Sequence, residues 1–108
     1  MYDIIKELNE TIKSRKGKAE ENSYTAYLFD KGIDKILKKC GEECAEMIIA
    51  AKNGNKEELV GEICDLIYHM IVMQNACGVN IEDIEQELSK RNLKTGNLKE
   101  FKTVDKNT

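Results

Sequence analysis

Residues 33–77 read IDKILKKCGEECAEMIIAAKNGNKEELVGEICDLIYHMIVMQNAC, and their spacing predicts two long helices. Apolar residues recur every three or four positions on both sides of Gly54, which is the spacing of one helix face. Gly54 is the type of residue that ends a helix, and Asn55 is the type that caps the next one. Because so short a link favours antiparallel packing, we expect residues 33–53 and 55–77 to form a helical hairpin.

Three shorter helices are predicted around this hairpin. They cover about residues 3–14, 23–30 and 81–91, with Asn22 or Ser23 as the expected N-cap of the second. The chain has no proline, the residue that helix interiors exclude, and no segment shows useful strand-like alternation. The predicted fold is therefore an all-α bundle of about five helices.

The length of the chain, 108 residues, allows a single domain. We place the helical domain at residues 1–91 and interpret the polar, lysine-rich residues 92–108 as a flexible C-terminal tail. A domain this small covers only about two-thirds of its unfolded surface. The second long helix is apolar on nearly all sides, so its excess apolar surface predicts a homodimer.

Charge and hydropathy exclude two broad classes of protein. The chain carries 20 acidic and 17 basic residues, whereas a nucleic-acid binder normally presents a net basic face. The longest apolar run, residues 66–73, is far too short to span a bilayer, and the N-terminus lacks a signal-peptide core. We therefore expect a cytoplasmic protein that binds neither nucleic acid nor membrane.

The most informative polar residues are carboxylates on the two long helices. Glu43 and Glu46 lie three residues apart, as do Glu62 and Asp65, so each pair shares one helix face. Glu42 adjoins the first pair. One such pair alone is usually a solvated surface, but two pairs on adjacent helices can face each other around one small volume. The largely apolar surroundings of the second pair make that arrangement more specific.

Carboxylates in such a position need compensation, because an unpaired buried charge is very costly. A ligand set made only of oxygen suits a hard cation, so the pattern predicts Mg²⁺, with Mn²⁺ as a possible substitute. Magnesium shares its coordination with substrate phosphates, which favours metal-assisted hydrolysis of a polyphosphate.

Other metal sites fit the sequence less well. A di-iron bundle requires a Glu-x-x-His spacing, whereas His69 lies four residues after Asp65. His69 admits two interpretations, a catalytic residue or a buried supporting one. Zinc is disfavoured by the absence of a Cys-x-x-Cys pair. The cysteines are instead predicted to be small buried apolar residues, and they are Cys40, Cys44, Cys64 and Cys77.

Five segments, in this order, resemble the phosphoribosyl-ATP pyrophosphohydrolase family. They are residues 23–26 (SYTA), 34–39 (DKILKK), 41–43 (GEE), 50–54 (AAKNG) and 65–69 (DLIYH). The similarity extends over roughly residues 1–91 without a large gap. The acidic pattern alone would indicate only the wider superfamily of all-α nucleoside-triphosphate pyrophosphohydrolases, which includes MazG-type housecleaning enzymes and dimeric dUTPases.

The resemblance implies a homodimeric helical bundle that converts phosphoribosyl-ATP and water into phosphoribosyl-AMP and pyrophosphate, the second step of histidine biosynthesis. The implied magnesium ligands are Glu43, Glu46, Glu62 and Asp65. We assign orientation or deprotonation of the attacking water to Glu42 or Glu46, with His69 as a further catalytic candidate. The predicted substrate-binding residues are Ser23, Thr25, Lys35, Lys38 and Lys39.

One position departs from the family pattern. The residue after Ser-Tyr-Thr-Ala is often lysine, and here it is Tyr27, so a positive charge would have to come from Lys31 or Arg15. Two other functions stay open. A housecleaning enzyme would use the same metal with a different base pocket, and a non-catalytic helical dimer would show no dependence on a divalent metal.

Overall fold

The computed structural model describes residues 3–17 and 23–93. These residues contain five helices and no strand, which confirms the all-α prediction. The helices are α1 (Ile4–Ser14), α2 (Tyr24–Lys31), α3 (Ile33–Asn53), α4 (Lys56–Ala76) and α5 (Ile81–Asn92). Residues 94–108, most of the predicted tail, lie outside the described part of the chain, as does Asn22.

The helix ends differ from the predicted bounds by about one residue, for a physical reason. Asp3 and Ser23 do not begin α1 and α2 but cap them, in extended backbone, with side-chain oxygens that accept hydrogen bonds from amides of the first turn. Between α2 and α3 the backbone of Gly32 has a φ of 94°, and Gly54 ends α3 at a φ of 73°. Both lie where a side chain would strain the backbone, so glycine fits the two breaks.

Helices α3 and α4 form the predicted antiparallel hairpin. Each has 21 residues, a length of about 30 Å, and only two residues separate them. The side chain of Asn55 accepts a hydrogen bond of 3.0 Å from the Glu58 amide and so caps α4. Farther along, the Cys40 thiol donates to the His69 carbonyl at 3.3 Å, which joins the two helices near their middle.

The apolar core lies toward one end of the hairpin, where α1 and α2 pack against it. Its buried members are Ile12, Leu28, Ile36, Ile71 and Val72. A buried amide network fixes α1 there: the Asn9 side-chain oxygen accepts from Gln74 at 3.1 Å and from Asn75 at 3.0 Å. Because each amide has a partner, the network avoids the cost of burying unpaired polar groups.

The apolar face expected on α3 is only partly buried. Ile36 is buried, but Leu37 and Ile48 are exposed, and Glu43 is only 6% exposed. The carboxylate, rather than the apolar side chains beside it, faces α4 at this level, so those side chains stay uncovered within one chain. Cys64 and Cys77 are also exposed, which corrects the expectation of four buried cysteines. No helix in the described residues is long and apolar enough to cross a membrane.

Candidate active site

Three of the predicted carboxylates meet between the helices of the hairpin. Glu43 comes from α3, and Glu62 and Asp65 come from α4. Each offers one oxygen, and these oxygens all lie within 4.8 Å of one another. The i, i+3 spacing puts Glu62 and Asp65 on one face of α4, and the antiparallel register brings Glu43 opposite them. We call Glu43, Glu62 and Asp65 the carboxylate cluster.

The interior of this cluster is poor in hydrogen-bond donors. The Oε2 atoms of Glu43 and Glu62 are both buried, and neither has a hydrogen-bond partner among the described residues. Burying carboxylate oxygens without a partner destabilises a protein unless a cation or proton compensates. A group of convergent carboxylate oxygens matches the ligand preference of Mg²⁺ or Mn²⁺. The residues present therefore fit a hard divalent cation.

The titration of Glu62 shows the same crowding of negative charge. Its pKa is raised to about 7 by burial, by a hydrogen bond with Glu46, and by the charges of Glu46, Glu43 and Asp65. Below that pKa a proton takes the place that a cation would otherwise fill.

Glu46 and Glu42 lie beside the cluster. Glu46 is exposed and close enough to Glu62 to raise the pKa of that carboxyl, so it lies at the edge of the cluster. Glu42 is exposed as well, and its carboxylate lies 3.4 Å from the Lys39 ammonium. Lys39 also lies 3.6 Å from Glu43. This lysine therefore links the cluster to Glu42 and neutralises part of its charge.

The other predicted phosphate-binding lysines do not form ion pairs with the described carboxylates of the cluster. Lys35 is half-buried and Lys38 is exposed, and neither makes an ion pair within residues 3–17 and 23–93. On α3, Lys35 lies one turn before Lys39 and Lys38 immediately precedes it, so a phosphate bound to the cluster would have to extend toward them.

His69 is buried, and both of its ring nitrogens are occupied. Nδ1 lies 2.7 Å from the carbonyl of Asp65, and Nε2 lies 3.1 Å from the Tyr24 hydroxyl. A carbonyl only accepts, so Nδ1 carries the proton and donates, while Nε2 accepts from the tyrosine. This geometry makes His69 a support for the helix turn of Asp65, and its role in the chemical step stays a prediction.

The hydroxyls of Ser23 and Thr25 have partners within the chain. Ser23 caps α2 through the Ala26 amide at 3.1 Å. Thr25 forms a hydrogen bond with the Tyr68 hydroxyl. These contacts anchor α2 beside α4, and substrate binding by either hydroxyl stays a prediction.

Sequence reasoning did not identify the tyrosines as part of the site. The Tyr24 ring lies near those of Tyr27 and Tyr68, with 6.2 Å between the ring centroids in each pair. The signal was present in the sequence, because Tyr24, Tyr27 and Lys31 have the spacing of one helix face. The pairing with Tyr68 depends on how α2 packs on α4, which spacing alone does not show.

A pocket of about 520 Å³ lies away from the cluster, toward the start of α3 and the end of α4. Ile36 and Ala76 line it, together with Lys16 and Asp30. Ile36 is roughly two helical turns from Glu43. The cluster rather than the pocket carries the groups suited to phosphate chemistry, so volume alone does not locate the site.

The sequence is also similar to a known protein family and to individual proteins. Residues 5–92 match the family model described as phosphoribosyl-ATP pyrophosphohydrolase. A phosphoribosyl-ATP pyrophosphatase of Clostridium novyi is 58% identical over 97 residues, which are 90% of this chain and 88% of that protein. One of Clostridium acetobutylicum is 55% identical over 98 residues, 91% of this chain and 89% of the relative.

A longer relative matches as well. The histidine biosynthesis bifunctional protein of Lactococcus lactis is 50% identical over 101 residues, which are 94% of this chain but 48% of that protein. The match to the family model covers most of the chain and includes the whole carboxylate cluster. The chain described above belongs to the phosphoribosyl-ATP pyrophosphohydrolase family.

Proposed function

We propose that this chain hydrolyses phosphoribosyl-ATP to phosphoribosyl-AMP and pyrophosphate, with Mg²⁺ held at the carboxylate cluster. One observation carries the proposal: three carboxylate oxygens from two helices converge within 4.8 Å, and two buried oxygens there have no partner among the described residues. Family membership supports the substrate, and the relatives named above carry it in their names.

The proposed metal ligands are Glu43, Glu62 and Asp65, with Glu46 as a fourth from the solvent side. A bound magnesium ion would polarise phosphate oxygens and offset the negative charge that develops on them. Mn²⁺ would substitute, because it accepts the same oxygen ligands.

The attacking water requires a base or an orienting acceptor, and Glu46 is better placed than Glu42. Glu46 is exposed and close enough to Glu62 to raise its pKa, whereas the Glu42 carboxylate lies 3.4 Å from the Lys39 ammonium. We propose that Glu46 accepts the hydrogen bond that orients the water. His69 supports this arrangement by fixing the carbonyl of Asp65.

Lysines of α3 are proposed to receive the phosphates. Lys39 is close enough to Glu42 and Glu43 to exchange a carboxylate for a phosphate oxygen, which would neutralise the leaving pyrophosphate. Lys35 and Lys38 would extend that positive surface along α3. Ser23 and Thr25 would contribute by holding α2 in place.

We also propose that the protein is a homodimer in the cytoplasm. Ile48 and Ile49 on α3 are 59% and 57% exposed, and Val60 on α4 is 53% exposed. Uncovered apolar surface on a hairpin of this size fits an interface with a second copy. Light scattering should show a particle of twice the chain mass, and Ile49→Lys should reduce that mass to one chain. A wild-type monomer at micromolar concentration would contradict the proposal.

The test of the activity is pyrophosphate release from phosphoribosyl-ATP with and without Mg²⁺, beside a panel of ordinary and damaged nucleoside triphosphates. Turnover of phosphoribosyl-ATP should require the metal and should be abolished in Glu62→Gln. Glu57→Gln, an exposed change in the first turn of the same helix, is the matched control. Broad activity on the panel would indicate a housecleaning enzyme, and no activity with any metal would indicate a binding module.

A further inference from the structure

One face of α2 carries a row of side chains that leads away from the carboxylate cluster. Tyr24, Tyr27 and Lys31 follow each other at spacings of three and four, so they share that face. The rings of Tyr24 and Tyr27 lie 6.2 Å apart with 23° between their planes. Beyond them the Lys31 ammonium lies 5.7 Å from the centroid of the Tyr27 ring.

The inner end of this row touches the candidate active site. The Tyr24 hydroxyl donates to His69, which in turn donates to the carbonyl of Asp65. Burial raises the pKa of Tyr24, and among the smaller influences on that pKa Lys39 lowers it and Glu43 raises it. A ligand that starts at the cluster can therefore continue along α2.

The outer end of the row is a cation with which no carboxylate of the described residues forms an ion pair. Within the described ranges, Lys31 forms no ion pair, whereas Lys39 lies near both Glu42 and Glu43. The aromatic ring of Tyr27 holds the ammonium by a cation–π contact, which is weak at an exposed site and leaves the charge available. An ammonium held in this way suits a phosphate group.

The proposed substrate has a matching distribution of charge. Phosphoribosyl-ATP carries a triphosphate and, across the purine, a second phosphate on the additional ribose. With the triphosphate at the cluster, the second phosphate must find a cation at a distance from the metal. Roughly 10 Å of helix separates Tyr24 from Lys31, with the tyrosine rings along that path.

We propose that Lys31, positioned by Tyr27, binds the phosphate of the phosphoribosyl arm, while the purine lies along Tyr24 and Tyr27. This inference rests on the proposed function. It makes Lys31 a specificity residue, because ATP and AMP lack the group that it binds.

The decisive variant is Lys31→Gln, compared with Lys90→Gln, which removes the same charge from the exposed last turn of α5. Losing a charged hydrogen-bond partner should raise KM for phosphoribosyl-ATP about tenfold or more and change kcat little. Lys31→Arg keeps the charge and should recover most of the affinity. An unchanged KM in Lys31→Gln, or an equal rise in Lys90→Gln, would overturn the proposal.

Binding probes test the same contact without turnover. Calorimetry in the presence of a chelator should show weaker binding of phosphoribosyl-AMP to Lys31→Gln and unchanged binding of AMP. Inhibition by inorganic pyrophosphate should also be unchanged. Equal weakening for phosphoribosyl-AMP and AMP would overturn the assignment. A wild-type protein that binds phosphoribosyl-AMP but does not release pyrophosphate would instead disprove the proposed function alone.

The role of Tyr27 is separable from that of Lys31 by a double-mutant cycle. Tyr27→Leu should raise KM several-fold when Lys31 is present, and by less when Lys31 is already Gln, because the ring then has no ammonium to hold. Tyr27→Phe retains the ring and should therefore keep KM close to the wild-type value when Lys31 is present. Additive effects of the two substitutions on KM, or a changed oligomeric state in Tyr27→Leu, would show that Tyr27 does not act through Lys31.

Discussion

The α3–α4 hairpin and helix α2 contribute to the candidate site in opposite ways. The hairpin concentrates negative charge: Glu43 is almost fully buried, and the pKa of Glu62 is raised to about 7 by burial, the hydrogen bond to Glu46 and neighbouring charges. Helix α2, with eight residues, presents neutral hydrogen bonds, such as that of Tyr24 to His69, and a cation at its end.

This difference separates chemistry from recognition. Carboxylates on two long, tightly paired helices are held rigidly, and their mutual repulsion is relieved by a cation or a proton. Side chains on a short helix anchored by a few contacts can adjust to a ligand at lower cost. We therefore expect changes in the hairpin, and in the Tyr24 hydroxyl that contacts it, to affect the chemical step. Changes elsewhere in α2 should affect mainly the affinity for the nucleotide.

The largest effect is expected from Glu43→Gln. Removing this proposed metal ligand should lower kcat/KM for phosphoribosyl-ATP at least about a hundredfold, as loss of groups that stabilise a charged transition state does. At pH 8 and with a chelator present, the unfolding temperature of Glu43→Gln should be no lower than that of the wild type, because one charge of a repelling cluster is gone. Pyrophosphate release and circular dichroism measure the two effects, and parallel losses of activity and stability would mean that Glu43 is structural.

Magnesium affinity should depend on pH through Glu62. The pKa of Glu62 in the folded protein is above its ordinary value. Near neutral pH the folded, metal-free protein therefore holds a proton that the unfolded chain has released. The stability of the metal-free protein consequently falls as pH rises through about 7. Metal binding displaces that proton, so affinity for Mg²⁺ should fall about tenfold for each pH unit below 7. Calorimetry at pH 6 and pH 8 measures the Mg²⁺ affinity, with Glu62→Gln as the control that lacks the titrating carboxyl. A wild-type affinity independent of pH would refute the prediction.

Much of this contrast could be predicted from the sequence. The hairpin follows from apolar spacing and from Gly54, and the meeting of Glu43 with Glu62 and Asp65 follows from i, i+3 spacing in an antiparallel pair. Local rules suffice here, because two long helices joined by two residues have one compact way to pack.

The environment of α2 could not be predicted in the same way. The contacts of Tyr24 with His69 and of Thr25 with Tyr68 join residues more than 40 positions apart. They depend on the angle at which α2 packs on α4, and periodicity does not determine that angle. The exposure of Ile48 has a similar origin, because its surroundings depend on what covers the hairpin, not on the spacing of apolar residues.

A smaller effect is expected from Tyr24→Phe, which removes the hydroxyl that donates to His69 and keeps the ring. An unsatisfied buried nitrogen should lower the free energy of unfolding by about 1 kcal/mol. Because His69 fixes the carbonyl of Asp65, kcat should fall several-fold while binding of inorganic pyrophosphate is retained. Urea titration and steady-state kinetics measure the two quantities, and wild-type kcat with lowered stability would leave Tyr24 a purely structural role.

The smallest effects compare the two helix caps, and they test the division of roles most directly. Ser23→Ala removes the cap of α2 and Asn55→Ala that of α4, and each should lower the free energy of unfolding by about 0.5–1 kcal/mol. Only Ser23→Ala should raise KM for phosphoribosyl-ATP, by about twofold, because Tyr24, Tyr27 and Lys31 all lie on α2. The Asn55 cap lies at the end of the hairpin that α2 does not touch, so KM of Asn55→Ala should stay at the wild-type value. Equal KM values in the two variants would mean that the position of α2 does not govern nucleotide affinity.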